Sequence, residues 1–378
     1  MNKSNKLQIV SILYVLLVDL NLALLVPKLS GVDVEFTPIR LCLTIIIVCL
    51  SVGSIIAALL RGQLHILVVS ISAYILYALI VSYTLDETPG RIETLYSALY
   101  APLVFAGAIC IFRNMNRNTL SQICSIKLGF LIFYIIFFLY MLLVLGRQNG
   151  LFINTIYFQL SIVPFIFVLR SKWIALLVLL MITACGLLVA KKTVLFLGLL
   201  SLIYFAISRT RVYWSRISLY KALSVVFICG SALLVFGILF NFGPTERALS
   251  GDSGRLMLLQ MFYDAFGKFS VAEYLFGHGL QDNSSQVIGG LSVHNDFLEV
   301  FFKLGGVGLI FYTLTGILVV QLGMKLRRYD HQLGSVFLFS VLMFSLFSAV
   351  SMLIFKPSYV VQFFIFWALS VRMLSNRS

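Results

Sequence analysis

The sequence predicts an all-α, polytopic membrane protein of about twelve spans. Three observations carry that expectation. Hydrophobic residues make up 61% of the 378 and charged residues only 11%, against about a quarter charged in a soluble domain. The apolar residues fall in runs of roughly 18–24, and a helix rising ~1.5 Å per residue needs about 20 to cross a hydrocarbon core. Alternating segments of about ten residues, the mark of a membrane barrel, are not the pattern. Lys and Arg, finally, concentrate in alternate connections between the runs.

In chain order the expected spans are 7–27, 39–60, 64–84, 92–112, 125–146, 152–169, 173–190, 194–208, 219–242, 294–322, 333–354 and 358–374. The first follows Lys3 and Lys6, lacks a small-residue cleavage site and is long for a signal segment, so it counts as a span. Runs 173–190 and 194–208 could form one hairpin with a short second arm. A cytoplasmic N-terminus puts 17 of the 28 Lys and Arg on the cytoplasmic side, the C-terminus included, and 12 of the 14 acids on the other. That is the positive-inside bias. The net charge of +14 is thus a topology signal, and no basic soluble face exists for nucleic acid. The six cysteines lie in or beside hydrophobic runs and form no Cys-x-x-Cys pair. Buried free thiols are expected, with neither disulfides nor a metal site.

The chain reads as a single integral membrane domain, residues 1–378, interrupted by one long outer loop, 243–293. Loops of that length are usually functional or disordered, and this one is not low-complexity. Within it "SGDSGRLMLLQMFYDAF" predicts a capped amphipathic helix in or near the membrane interface. "YLFGHGL" follows as a glycine-rich turn, and His278 between its glycines is expected at the surface. The tenth run, from His294 to about Leu322, would be roughly 43 Å long as one helix. Its first turns should therefore stand in the outer headgroup layer or a polar cavity.

Three outer features suit chemistry on an anionic substrate. His294 opens the tenth run, where the helix dipole favours a neutral imidazole able to take a proton. Asn295 and Glu299 lie one helical turn apart beside it, and Asp296 also suits the dipole. Arg255 opens the amphipathic helix, where a guanidinium can fork onto phosphate oxygens. Lys191 and Lys192 sit in a short turn between two runs, against the positive-inside bias, and are point-charge ligands for phosphate. Lys303 is expected to snorkel, and Gly305 and Gly308 to permit close helix packing. Asp19 is an ionisable residue within a span, with no partner evident. No nucleotide-binding motif is present, so an enzyme on this face needs an activated lipid as donor.

These residues resemble the O-antigen polymerases and O-antigen ligases of bacterial envelopes. The family pattern of His-(Asn/Ser/Gln), nine residues, Gly, two residues and Gly/Thr/Tyr is matched by His294, Asn295, Gly305 and Gly308. Gly277 and Gly279 are similar to its Gly-x-Gly turn, and "SGDSGRLMLLQMF" to its Ser-Gly-Arg helix start. Lys191–Thr193 takes the place of its Ser-Arg-(Thr/Ser); lysine keeps the charge and loses the fork. The resemblance implies a GT-C-like glycosyltransferase with its active site on the periplasmic face of the bacterial inner membrane. Its donor and acceptor would be undecaprenyl-diphosphate-linked oligosaccharides, with a chain-length regulator protein as a further partner. His294 would be the base and Arg255 and Lys192, aided by Lys191, the diphosphate ligands, with no cofactor or metal needed. Polymerase is the preferred reading, ligase the alternative. From another class, a lipid-linked oligosaccharide flippase would show paired half-repeats and deep ionisable residues.

Overall fold

The computed structural model describes residues 3–25, 37–86, 92–113, 115–144, 146, 154–169, 171–189, 191–209, 255–280, 295–350 and 355–375. Among the described residues every regular element is a helix. In chain order these are α1 (Lys3–Ala23), α2 (Thr37–Leu60), α3 (Ile66–Leu85), α4 (Ile92–Ile111) and α5 (Arg117–Leu139), which ends in a π turn, Tyr140–Val144. Then come α6 (Ile156–Val168), α7 (Lys172–Leu188), α8 (Lys192–Arg209), α9 (Arg255–Phe266), α10 (Val271–Phe276), α11 (Asp296–Tyr329), α12 (His331–Val350) and α13 (Pro357–Ser375). Eight of these helices are long and apolar enough to cross a membrane, as a polytopic membrane protein requires. The expected run 219–242 and, of the loop 243–293, residues 243–254 and 281–293 lie outside the described residues.

The chain divides into two compact units. One comprises Met1–Leu25, Val34–Ile123 and Gly254–Ser378; the other, Val26–Asp33 and Cys124–Ser253. In the second, α7 and α8 pair as a hairpin of similar arms, 17 and 18 residues, and α6 packs on both. In the first, α4 is central, packed on α2, α3 and α13, while α11 packs on α3, α12 and α13. Tyr14 of α1 reaches the Ser51 hydroxyl of α2 at 2.8 Å. Asp19, an orphan in the sequence, is fully buried and accepts from the Gln362 amide of α13 at 2.8 Å. Of the cysteines expected to be buried, Cys124 and Cys185 are; Cys42 and Cys49 are exposed on α2.

The tenth run departs most from expectation. Gly305 has φ 64° and ψ −168°, which breaks α11 into residues 296–304 and 306–329. Phe297 and Tyr312 are fifteen positions apart, so a straight helix would separate them by roughly 22 Å. Their ring centroids are 5.4 Å apart. Residues 296–304 therefore turn back alongside 306–329 as a re-entrant half-helix. Its tip, Asn295–Asp296, ends among spanning helices instead of projecting outward, and Asp296 is fully buried.

Only glycine suits this turn, because φ is positive and a Cβ would collide with the Leu275 carbonyl. Gly305→Ala is expected to cost at least about 1–3 kcal/mol from backbone strain alone. Gly129→Ala, in mid-α5 with nothing near its Cβ, should be neutral or stabilise by about 0.5–1 kcal/mol. Thermal unfolding midpoints of the two variants in detergent test the contrast.

Candidate functional site

A helix broken at Gly305 strands the carbonyls just before the break, because their usual amide donors have turned away. The Gly277–Gly279 turn supplies replacements. His278 N donates to Phe302 O at 2.9 Å and Gly279 N to Lys303 O at 3.1 Å. The Tyr77 hydroxyl of α3 donates to Leu304 O at 2.7 Å. Both turn glycines have positive φ, 77° and 96°. A Cβ on Gly277 would lie 2.5 Å from the Lys303 backbone, and one on Gly279 would strike the Asp86 carboxylate. The Gly-x-Gly turn is thus a clasp that holds a broken helix by main-chain bonds.

The clasp is itself fixed by α9 and α10. Ser270 and Glu273 form a reciprocal capping box at the start of α10. The hydrogen bonds from Ser270 hold the Glu273 carboxyl below the usual carboxylate range. The Tyr274 hydroxyl donates to Phe266 O at 2.7 Å. The apolar face of α9 does not lie alone at an interface: Phe262 and Phe302 are buried together, with Met261, Phe266, Leu298 and Phe301 around them.

At the tip, Asn295 is spent on structure. Its Oδ1 accepts from Phe297 N and Leu298 N at 3.0 and 3.2 Å, capping the half-helix. Its amide donates to Ala349 O at 3.0 Å, a carbonyl in the last turn of α12. Ser348 Oγ donates to Asp296. Asp296 and Glu299 occupy the first turn of the half-helix and Lys303 its end, the order that complements the helix dipole. Lys303 does not snorkel. Its ammonium is buried 3.4 Å from Glu299 Oε1 and 3.5 Å from Leu280 O, and 4.8 Å from the Phe355 ring centre.

His278 differs from its expected surface position. The imidazole is only 12% exposed and lies between Phe269 and Phe302, ring centroids 4.5 and 4.7 Å away. Nδ1 lies 3.4 Å from Glu273 Oε1, and Nε2 is buried without a hydrogen-bond partner among the described residues. Burial lowers its pKa, and Glu273 offsets this in part.

Gly277 and Gly279 thus lie against the Gly305 end of the half-helix, Asn295 caps its opposite tip and Glu299 lies between them. Arg255 is the first residue of α9, which packs on the half-helix through Phe262 against Phe302. His294 lies outside the described residues. Lys191 and Lys192 belong to the other compact unit, at the turn into α8; Lys191 Nζ lies 5.9 Å from the Tyr157 ring centre and Lys192 is exposed. Two residues not singled out from the sequence also border the tip. Tyr312 meets both Phe297 and Ser348, and Tyr74 of α3 is near enough to Asp296 to feel its charge.

Removing one member of a buried ion pair strands the other charge at about 3–5 kcal/mol. Lys303→Met should therefore destabilise by about that amount, and Glu299→Gln added to it should restore most of the loss, read by thermal unfolding of single and double variants. His278 predicts a pH dependence. Its folded pKa is below the ordinary value of about 6.5, so its contribution is complete above that value and is lost as pH falls through the folded pKa. Lowering the pH from about 7.5 to about 5.5 should lower the melting temperature of the native protein more than that of His278→Gln.

No protein-family model and no curated protein matches this chain.

Proposed function

We propose that the chain is an inverting glycosyltransferase of the O-antigen polymerase type, joining polyprenyl-diphosphate-linked saccharides at the outer face of the membrane. The observation that carries the reading is the re-entrant half-helix. The stretch from Asn295 to Gly308, which carries the family-like pattern, folds as one device, and the Gly277–Gly279 turn clasps it. A half-helix ending inside a bundle presents its positive N-terminal dipole to whatever lies at the tip. His294 immediately precedes that tip in the sequence.

In the proposed reaction an acceptor sugar hydroxyl attacks the anomeric carbon of the donor. The bond from that carbon to the diphosphate breaks, and the electron pair leaves with the lipid diphosphate. The hydroxyl proton passes to His294, imidazole being the side chain that most often serves as a general base. Arg255 and Lys192 stabilise the charge that moves onto the diphosphate.

A second reading, transport of the lipid-linked saccharide, is favoured by the same broken helix and by Asp296, Glu299 and Lys303 buried beside it. Purified protein in liposomes separates the two: new glycosidic bonds mark the transferase, and translocation without them marks the transporter.

His294→Ala and Arg255→Ala should each abolish chain formation with protein level and membrane insertion unchanged, whereas Lys192→Arg should be tolerated. Normal-length polymer from Arg255→Ala would remove the diphosphate assignment. Gene deletion divides polymerase from ligase. A single repeat unit left on the lipid core identifies the former, and no attached repeat identifies the latter.

A further inference from the structure

At the end of the first unit opposite the Gly277–Gly279 clasp, α3 begins and α4, α11 and α13 end. Contacts between the helices fix that alignment. The Ser70 and Thr315 hydroxyls meet at 2.9 Å, and the Tyr77 and Phe311 ring centroids lie 5.7 Å apart, so α3 and α11 run antiparallel. Phe105 stacks on Phe364 at 5.0 Å, and Arg372 Nε donates to Ile109 O, so α4 and α13 run parallel. Four separate segments thereby bring His65, Arg113, Lys325 and Arg372 to one place. Arg113 and Lys325 are exposed, His65 is half-buried and Arg372 is buried. Burial lowers the His65 pKa, and the neighbouring charges of Arg372 and Lys325 lower it further. Arg113 is close enough to Arg372 for the two charges to repel.

The local charge does not balance. A helix end carries about half a charge. The negative ends of α4, α11 and α13, less the positive start of α3, offset about one of the three whole charges on Arg113, Lys325 and Arg372. Asp330 is the sole acid in segments 61–65, 112–117, 325–331 and 372–375, and it is spent elsewhere. Its Oδ2 accepts from Arg117 at 2.6 Å and its Oδ1 from Leu333 N at 3.1 Å. Among the described residues Arg113 and Lys325 enter no ion pair. About two positive charges thus stay crowded beside a half-buried imidazole, an arrangement that an anion relieves. His65 Nδ1 accepts from Leu67 N at 3.2 Å, which leaves its proton on Nε2 as one more donor.

The flanks of the cluster are apolar. Ile66 and Val69 follow His65, Met324 precedes Lys325, and all three are exposed. In a membrane-spanning bundle such residues face hydrocarbon, so an anion seated here has acyl chains alongside. A soluble phosphate gains nothing from that surface, whereas a lipid gains apolar contact and charge together.

We propose that this cluster holds the head group of a doubly charged anionic phospholipid, its phosphate oxygens on Arg113, Lys325 and His65 Nε2, with the buried charge of Arg372 behind them. The site stands whether or not the protein transfers sugars.

The test mixes the full chain in detergent with phosphatidic acid, whose phosphomonoester carries close to two charges, or with phosphatidylcholine of the same chains, and counts retained lipid by native mass spectrometry. The native protein should retain one phosphatidic acid and no phosphatidylcholine. Arg113→Gln combined with Lys325→Gln removes two exposed cations and should retain roughly tenfold less, or lower still. Arg61→Gln combined with Arg327→Gln removes the same charge from exposed residues of the same end outside the cluster, and should retain lipid as the native protein does. A ligand bound to the folded state raises its melting temperature, so phosphatidic acid should stabilise the native protein and the Arg61/Arg327 variant but not the Arg113/Lys325 variant. Equal loss in both variants would show a diffuse surface field and overturn the proposal. Unchanged retention in the Arg113/Lys325 variant, or equal retention of phosphatidylcholine, overturns it too. Displacement of phosphatidic acid by excess inorganic phosphate overturns the assignment to a lipid.

Discussion

The candidate site depends on one backbone exchange: amides of a glycine turn take over carbonyls that a broken helix has abandoned. Each carbonyl left unpaired in a dry interior would cost about 1–3 kcal/mol, so a break at Gly305 without the clasp would not persist. With His278 N on Phe302 O, Gly279 N on Lys303 O and Tyr77 on Leu304 O, the break is sealed on every side. Gly277, Gly279 and Gly305 are therefore three parts of one contact. Each is glycine because a neighbouring segment occupies the space where its Cβ would be.

Charge placement supports the same half-helix. Dipole complementarity contributes about 0.3–1 kcal/mol per charge at a surface. Stranding one partner of a buried ion pair costs about 3–5 kcal/mol. The Glu299–Lys303 pair thus outweighs the dipole, and its i,i+4 order with the acid first is the favourable one. The pair lies on the side of the half-helix that meets Leu280 and Phe355. It spans the segment from its first turn to its last, so helix and ion pair hold or fail together.

Much of the fold was legible in hydropathy. Every expected run except 219–242, which lies outside the described residues, falls on a helix, because in a membrane the backbone must satisfy itself within each segment. The tenth run was misread for a physical reason. Hydropathy adds residues along the chain and cannot register a reversal made by a single φ angle. Two signals were present: the adjacent pair Gly305–Gly306, and Lys303 in the middle of an otherwise apolar stretch. Lysine within a span suggests snorkelling; it stays buried because Glu299, four residues before it on the same half-helix, and the Leu280 carbonyl and Phe355 ring, brought near only by the fold, surround its ammonium. His278 was misplaced similarly, since its partners Phe269 and Phe302 flank it only after the hairpin forms. The glycine turn and Asn295 stood out in the sequence by their likeness to a pattern; that they make main-chain bonds and a helix cap on the two ends of one half-helix could not be read from spacing.

The link from the half-helix tip to α12 bears on how the protein is made. Asn295 and Asp296 are held by Ala349 and Ser348, which lie 54 and 52 positions further along the chain. While a ribosome is still emitting those residues, the newly inserted hairpin has its turn secured by earlier segments and its point loose. The tip of the half-helix is then the last portion to gain its partners, so an unfinished polypeptide carries the motif without its shape.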